Sequence, residues 1–297
     1  MVMKTRINRP GRYQVDLRAA RKLRDEVFGH MRGTRGKKYW AWLLALSVVR
    51  ILLPERSARE IFLTVYAAMR EGDDPVDGDK PLPSQYGSAV EYVDALIAFV
   101  WEPQKPSSCA EYLLAYALSL MSGSGFDIRE EVVLVLESLR FDATRRNPFA
   151  PRIFLQDELR NIGHRRDELG VISAMLKLTR EWEKGIRPKD LAELGEVVQF
   201  RYNLRDVHKD WRAGYCNIPL EALRAPELTI LRKERGLPDE IVSRWSKQEA
   251  SRGKTLLKAY KKRRRKLPFS WRTRVTLFIA FQWRVDLLFW KILRQQT

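Results

Sequence analysis

"ERSAREIFLTVYAAMREG", residues 55–72, indicates an α-helix, because its apolar residues recur with a period near 3.6. Ser57 is placed to cap the start of this segment and Gly72 to end it, so the pattern predicts a helix between them. Further segments with the same period follow at residues 90–101, 110–121 and 128–139. Helix is therefore the expected repeating element.

The remaining segments extend this pattern to the whole chain. β-branched runs with strand-like alternation between turns are almost absent, which argues against a substantial sheet. Of the 297 residues, 45% are hydrophobic, which is enough for a sizeable core. We therefore predict a mainly α-helical, multi-helix globular protein with no substantial sheet, a basic N-terminal arm and a basic C-terminal helical region.

"RRNPFAPR", residues 145–152, interrupts the helical pattern with two prolines near Asn147. We predict a domain boundary here. Residues 1–146 are expected to form an N-terminal helical domain with the basic arm and an acidic middle. Residues 147–297 are expected to form a C-terminal helical domain that contains a basic cluster at residues 252–266.

"GDDPVDGDKPLPSQYG", residues 72–87, contrasts with the helical segments. Its three prolines, four aspartates and few apolar side chains predict an exposed, solvated loop. Asp73, Asp74, Asp77 and Asp79 are clustered as in a calcium loop, but the EF-hand spacing with its terminal Glu is missing. We therefore expect no calcium site.

Motifs for metal, nucleotide or disulfide chemistry are missing from the sequence. Cys109 and Cys216 are far apart, and no histidine has a metal-binding spacing, so we expect no metal site and no cofactor. No glycine-rich phosphate loop follows a strand. The isolated cysteines and the lack of a secretory signal suit a cytoplasmic protein.

Two apolar segments bear on membrane association. Residues 39–54 are shorter than the roughly 20 residues that span a bilayer, so they predict a buried core helix. In residues 269–297, Arg284 and Asp286 interrupt the apolar run, and docking into the core is favoured. A partner-binding helix or a basic amphipathic membrane anchor is the alternative. A membrane partner is not expected.

The charge distribution is uneven along the chain. The net charge is +18, with +9 in residues 1–38, −9 in residues 55–138 and +14 in residues 230–297. Two basic ends around an acidic block can steer a polyanion to one face. They can also allow self-association, or association with other subunits, through acidic and basic faces.

The basic cluster is the predicted binding site. Its cations would surround a helix, so they cannot all be paired internally and stay available to phosphates, while adjacent aromatic rings can stack on unpaired bases. The predicted nucleic-acid-binding residues are Arg252, Lys254, Lys258, Tyr260, Lys261, Lys262, Arg263, Arg264, Arg265, Lys266, Trp271, Arg272 and Arg274.

"RYNLRDVH", residues 201–208, supports a catalytic alternative. Arg201 and His208 are nearly two helical turns apart and would share a face. The pair resembles the Arg-x(4–6)-His motif of HEPN-type helical ribonucleases, although Tyr202 replaces the usual polar residue after the arginine. The resemblance implies cleavage of an RNA phosphodiester by Arg201 and His208.

The sequence favours a non-enzymatic nucleic-acid-binding protein of a nucleoprotein assembly, with RNA or single-stranded nucleic acid preferred over duplex DNA. Aromatic residues beside the cations support that preference, since no clear base-reading motif is present. The alternatives are the HEPN-like ribonuclease and a peripheral membrane or assembly protein that uses the C-terminal amphipathic helix.

Overall fold

The computed structural model describes residues 15–34, 37–147, 149–233 and 236–294. Within these ranges the regular elements are helical and no strand occurs, which confirms the predicted fold class. The predicted basic arm at the extreme N-terminus lies outside the described residues. The division into two domains at residue 147 stays a prediction.

The helices follow one another with short connections. The first half contains α1 (Leu17–Thr34), α2 (Lys37–Leu52), α3 (Arg56–Asp77), α4 (Ala89–Trp101), α5 (Cys109–Ser124) and α6 (Arg129–Arg145). The second half contains α7 (Gln156–Gly163), α8 (Ser173–Leu178), α9 (Ala192–Ala213), α10 (Ala225–Lys233), α11 (Asp239–Arg264), α12 (Trp271–Leu277) and α13 (Trp283–Arg294). Two π-helical segments, His164–Ile172 and Phe278–Gln282, join α7 to α8 and α12 to α13.

The buried apolar side chains form two clusters. One lies mainly among α1 and α3 to α6, and the other mainly among the first π segment, α9 and α11 to α13. Phe62 on α3 packs against both clusters. In the C-terminal segment Leu277, Phe281, Val285 and Phe289 are buried, which confirms that it docks into the core. No helix in the described part of the chain is long and apolar enough to cross a membrane.

Helix α3 extends further than its sequence predicts. It begins after Glu55 and runs through Pro75 to Asp77, so the first six residues of the predicted loop are helical. Proline at position 75 removes the N–H that would bond to the carbonyl of Glu71. The buried hydroxyl of Tyr92 donates to that carbonyl at 3.5 Å instead. A tertiary contact therefore replaces the lost helical hydrogen bond.

Arg146 holds the carboxyl ends of α3 and α9 together. Its guanidinium donates to the carbonyl of Val76 at 3.1 Å and to the carbonyl of Ala213 at 3.2 Å. The hydroxyl of Tyr215 also donates to Val76 O, at 3.3 Å. Because these carbonyls lack partners within their own helices, the arginine satisfies both helix ends at once.

Gly78 makes this close approach possible. It ends α3 with φ of 77°, in the left-handed region, and a Cβ there would lie 2.5 Å from an Arg146 guanidinium nitrogen. Only glycine combines that backbone conformation with that space.

Gly78→Ala is expected to lower the free energy of unfolding by about 3 kcal/mol, because left-handed strain adds to displaced Arg146 hydrogen bonds. Gly125→Ala is the matched control. Gly125 ends α5 with φ of 74° and has open space around it, so its cost is about 1 kcal/mol. Urea unfolding of both variants measures the difference, and equal losses would refute the role of Arg146.

Candidate functional site

Two helices present aspartate pairs with the same spacing. Asp73 and Asp77 lie in the last turns of α3, and Asp206 and Asp210 lie in the second half of α9. Residues four apart share one helix face, so each pair projects together. The Arg146 bridge brings the ends of these two helices close to each other.

Asp142 on α6 lies near both pairs. Burial and Asp73, with a smaller contribution from Asp142, raise the pKa of Asp77 to about 7. Burial and Asp206, again with a smaller contribution from Asp142, raise the pKa of Asp210 to about 7. We call these five aspartates the acidic centre. Asp73, Asp142 and Asp206 are each ion-paired with an arginine, namely Arg70, Arg145 and Arg205.

A chain of hydrogen bonds connects two members of the acidic centre. Arg145 donates through Nε to Asp142 Oδ1 at 2.7 Å and through Nη1 to Asn217 Oδ1 at 2.9 Å. Asn217 in turn donates to Asp210 Oδ2 at 2.6 Å. Arg145 also lies 5.0 Å from the centre of the Tyr215 ring. These hydrogen bonds fix the orientation of the Asp210 carboxylate.

Asp74, between the two α3 carboxylates of the centre, has a different role. It is buried and accepts from Arg70 at 2.5 Å, and Lys80 lies 3.5 Å away. Its backbone carbonyl accepts from the N–H groups of Asp79 and Lys80. Asp74 therefore stabilises the end of α3.

Four arginines form a second group beside the acidic centre. Guanidinium groups of Arg166, Arg201 and Arg205 lie 5.7, 5.1 and 5.2 Å from the centre of the Tyr202 ring. Burial and the neighbouring Arg201 lower the pKa of Arg284, on α13, to about 10. Arg205 also bonds to Asp206 at 2.8 Å. We call this group the arginine patch. Arg166 also pairs with Asp167 at 3.0 Å, and the positive charges of the four guanidinium groups together favour an anion.

The acidic centre and the arginine patch together suit one kind of ligand. Carboxylates attract divalent cations, and guanidinium groups bind phosphate oxygens directly. A phosphate group that carries a divalent cation matches both at once. The chemistry of the two groups therefore suits a phosphorylated ligand near the carboxyl ends of α3 and α9.

The sequence-predicted binding residues lie elsewhere, along α11 and the start of α12. Several are paired inside the molecule: Arg252 with Glu196, Lys261 with Asp286 at 2.8 Å, Arg263 with Glu193 at 2.5 Å and Arg264 with Gln282 at 2.8 Å. Tyr260 is completely buried, so its ring cannot stack on a base. Arg274 donates to the carbonyls of Phe269 and Leu267.

The other predicted residues are exposed. Lys254, Lys258, Lys262, Arg265, Lys266 and Arg272 make no ion pair within the described ranges, and Trp271 keeps 65% of its surface exposed. The structure therefore divides the predicted site into an inner, paired half and an outer, unpaired half.

Arg201 and His208 both lie on α9, as predicted, but in different surroundings. Arg201 belongs to the partly buried arginine patch. His208 is exposed, and its Nε2 lies 3.5 Å from Asp239 on α11. The geometry gives no common centre for the two side chains.

The sequence does carry a signal for the acidic centre. The spacing Asp-x-x-x-Asp occurs at residues 73–77 and again at residues 206–210, one pair in each half of the chain. The sequence predicts a solvated loop around the first pair, because three prolines and four aspartates occur there with few apolar residues. The second pair overlaps the Arg201–His208 motif, which resembles a ribonuclease motif instead.

A crystal structure of a dehydrosqualene synthase in complex with ligand has the same fold. The superposition has a TM-score of 0.57, covers 94% of this chain and 98% of that chain, and shows 18% sequence identity. Over the residues that the structure describes, the protein is therefore helical and has an isoprenoid synthase-like fold. No protein-family model and no curated protein sequence matches it.

This shared fold contradicts the prediction of a non-enzymatic nucleic-acid-binding protein, and with it the nucleic-acid partner and the HEPN-like alternative. The fold found over nearly the whole chain is that of a synthase. The prediction failed because a run of cations was interpreted without its partners, four of which the structure supplies from other helices.

The acidic centre makes the stability depend on pH. A carboxyl group with a pKa of about 7 in the folded protein and an ordinary value of 3.8 when unfolded stabilises the fold while it is protonated. That stabilisation declines progressively as the pH rises from about 4 to about 7 and is absent above this range. Asp77→Asn and Asp210→Asn are therefore expected to raise the melting temperature at about pH 8 in EDTA and to flatten its decline with pH.

Asp157→Asn is the control, because its side chain is 94% exposed. It is expected to leave the pH profile unchanged. Differential scanning calorimetry between about pH 5 and pH 8 measures the profiles. A wild-type melting temperature that rises with pH across this range would contradict the electrostatic repulsion at the centre.

Proposed function

We propose that this protein is an isoprenoid synthase-like enzyme that binds a prenyl diphosphate at the ends of α3 and α9. The observation that carries the proposal is the pair of four-residue aspartate spacings, Asp73 with Asp77 and Asp206 with Asp210, gathered into one acidic centre. The fold shared with a dehydrosqualene synthase supports the reaction class.

The acidic centre fits divalent cations of the Mg²⁺ type. Such ions prefer oxygen ligands and are usually held by one or two carboxylates together with substrate phosphates. Within the described residues no group of three or more acidic, histidine or cysteine side chains is arranged to hold a metal ion alone. Burial, and after it the neighbouring carboxylates, raise the pKa of Asp77 and of Asp210 to about 7, and a divalent cation beside them would offset both causes.

When bound, the cations would neutralise charge on the diphosphate and so favour its departure. The arginine patch would contribute from the protein itself. Arg201 lies one and a half turns from Asp206 on the same helix, and Arg284 approaches from α13. Their guanidinium groups would orient the phosphate oxygens and keep the departing diphosphate in place.

The face of α3 that leads to the acidic centre changes from apolar to acidic. Phe62, Tyr66, Asp73 and Asp77 follow a helical repeat along it, and Phe62 packs against both core clusters. An amphiphile with an anionic head and a hydrocarbon tail matches this gradient. The gradient favours a prenyl diphosphate over a water-soluble phosphate ester.

The test is release of inorganic pyrophosphate from geranyl, farnesyl and geranylgeranyl diphosphates in the presence of Mg²⁺. We expect at least one of them to react, and EDTA to stop the reaction. Asp206→Asn and Asp73→Asn should each reduce the rate roughly 100-fold or more, because each removes a negative ligand from the centre.

Asp94→Asn is the matched control, since Asp94 is exposed on α4 and pairs only with Arg140 among the described side chains. It should retain the wild-type rate. If none of the three diphosphates reacts, or if the reaction proceeds equally in EDTA, the proposed function is wrong.

A further inference from the structure

We propose that the corner between α11 and α12 is a docking surface for a bilayer that contains anionic lipid. The corner consists of Lys262, Arg265, Lys266, Trp271 and Arg272, and it includes the outer half of the basic run. The acidic centre and the arginine patch use none of these residues. The proposal therefore stands apart from the reaction.

The cations of the basic run at the end of α11 point to two sides of the helix, one toward the bundle and one toward solvent. Lys261, Arg263 and Arg264 turn toward the bundle and meet Asp286, Glu193 and Gln282. Lys262, Arg265 and Lys266 are exposed and have no ion pair in the described chain. Positive charge therefore accumulates on the outer side of the corner, where nothing among the described side chains neutralises it.

An apolar stripe begins at the same corner. Trp271, Val275 and Phe278 are spaced like successive turns of a helix and expose 65%, 36% and 42% of their surface. The Arg272 guanidinium lies 5.7 Å from the Trp271 ring, so the stripe starts beside a cation. Three large apolar side chains in one line are more than the scattered exposure of an ordinary soluble surface.

The neighbouring helix extends the apolar surface. α2 packs against α12 and against the π segment that follows it. Leu44 and Ile51 on α2 are 66% and 70% exposed. The sequence predicts a buried core helix here. Among the α2 side chains that the structure describes, Ala45, Leu46, Val49 and Leu52 are buried, whereas Leu44 and Ile51 are not.

The positive charge and the exposed apolar side chains of the corner together indicate which partner binds there. A nucleic acid would complement the cations but leave Val275 and Phe278 in water. A bilayer with anionic lipid accommodates both, because cations remain among headgroups while the apolar stripe enters the acyl boundary. Tryptophan prefers this interface, and lysine and arginine reach it with their aliphatic stems. The combination at this corner fits an anionic membrane surface.

The test measures cosedimentation of the full chain with phosphatidylcholine vesicles that either contain or lack phosphatidylglycerol. Binding is expected only with phosphatidylglycerol and should weaken with salt. The triple variant Lys262→Gln, Arg265→Gln, Lys266→Gln should bind roughly 100-fold more weakly. Trp271→Ser should bind roughly tenfold more weakly, because it removes one interfacial anchor.

Matched controls come from the same molecule. Trp101 is 48% exposed and lies 5.7 Å from the Arg129 guanidinium, so Trp101→Ser removes a comparable indole from α4. The charge control replaces three other exposed lysines that have no ion pair in the described ranges, Lys105, Lys189 and Lys247, by Gln. Both controls should bind vesicles as the wild type does, and circular dichroism should show that all variants fold.

Four results would overturn the proposal. They are no binding to either vesicle, equal binding to both vesicles, equal losses in the corner variants and the controls, and binding of RNA or DNA that depends on the corner without vesicle binding. None of these outcomes bears on pyrophosphate release, so the docking surface and the proposed reaction fail independently.

Discussion

The bridge made by Arg146 is the contact on which the functional part of the structure depends. One guanidinium satisfies carbonyls at the ends of α3 and α9, and Gly78 leaves the space for it. Tyr215 supports the bridge, because its hydroxyl donates to Val76 O and its N–H donates to Asp210 O. Together these contacts hold close two helix ends that carry aspartates. The fold thus fixes in place a concentration of negative charge that is unfavourable by itself.

This unfavourable charge links stability to function. Asp77 and Asp210 are costly to ionise because burial and neighbouring carboxylates raise their pKa values, and a bound cation would remove that cost. Binding of cation and diphosphate would therefore stabilise the folded chain. Burial and the neighbouring Arg201 lower the pKa of Arg284 to about 10, so a bound anion would also favour the charged form of this arginine. In the proposed function the acidic centre and the arginine patch are complementary halves of one site.

The sequence predicts the helical class but not the site, for reasons that particular residues show. The periodicity of apolar residues is enough to predict the helices. It also predicts that the C-terminal segment packs into the core, where Phe281, Val285 and Phe289 are buried. Periodicity cannot show that Tyr92, from another helix, replaces the hydrogen bond lost at Pro75. The sequence therefore predicts that α3 ends at Gly72 and that the following aspartates lie in a loop, whereas the helix continues to Asp77. Nor can periodicity show which cations of the basic run meet acids from distant helices, as Lys261 meets Asp286.

The most direct measurement of the central claim is a crystal structure of the protein grown with Mn²⁺ and an unreactive thio analogue of a prenyl diphosphate. Anomalous scattering is predicted to place Mn²⁺ against Asp73 or Asp77 on α3 and against Asp206 or Asp210 on α9. The diphosphate should lie between the cations and the arginine patch. A diphosphate bound away from α3 and α9, or aspartate pairs without cations beside a bound analogue, would contradict the account.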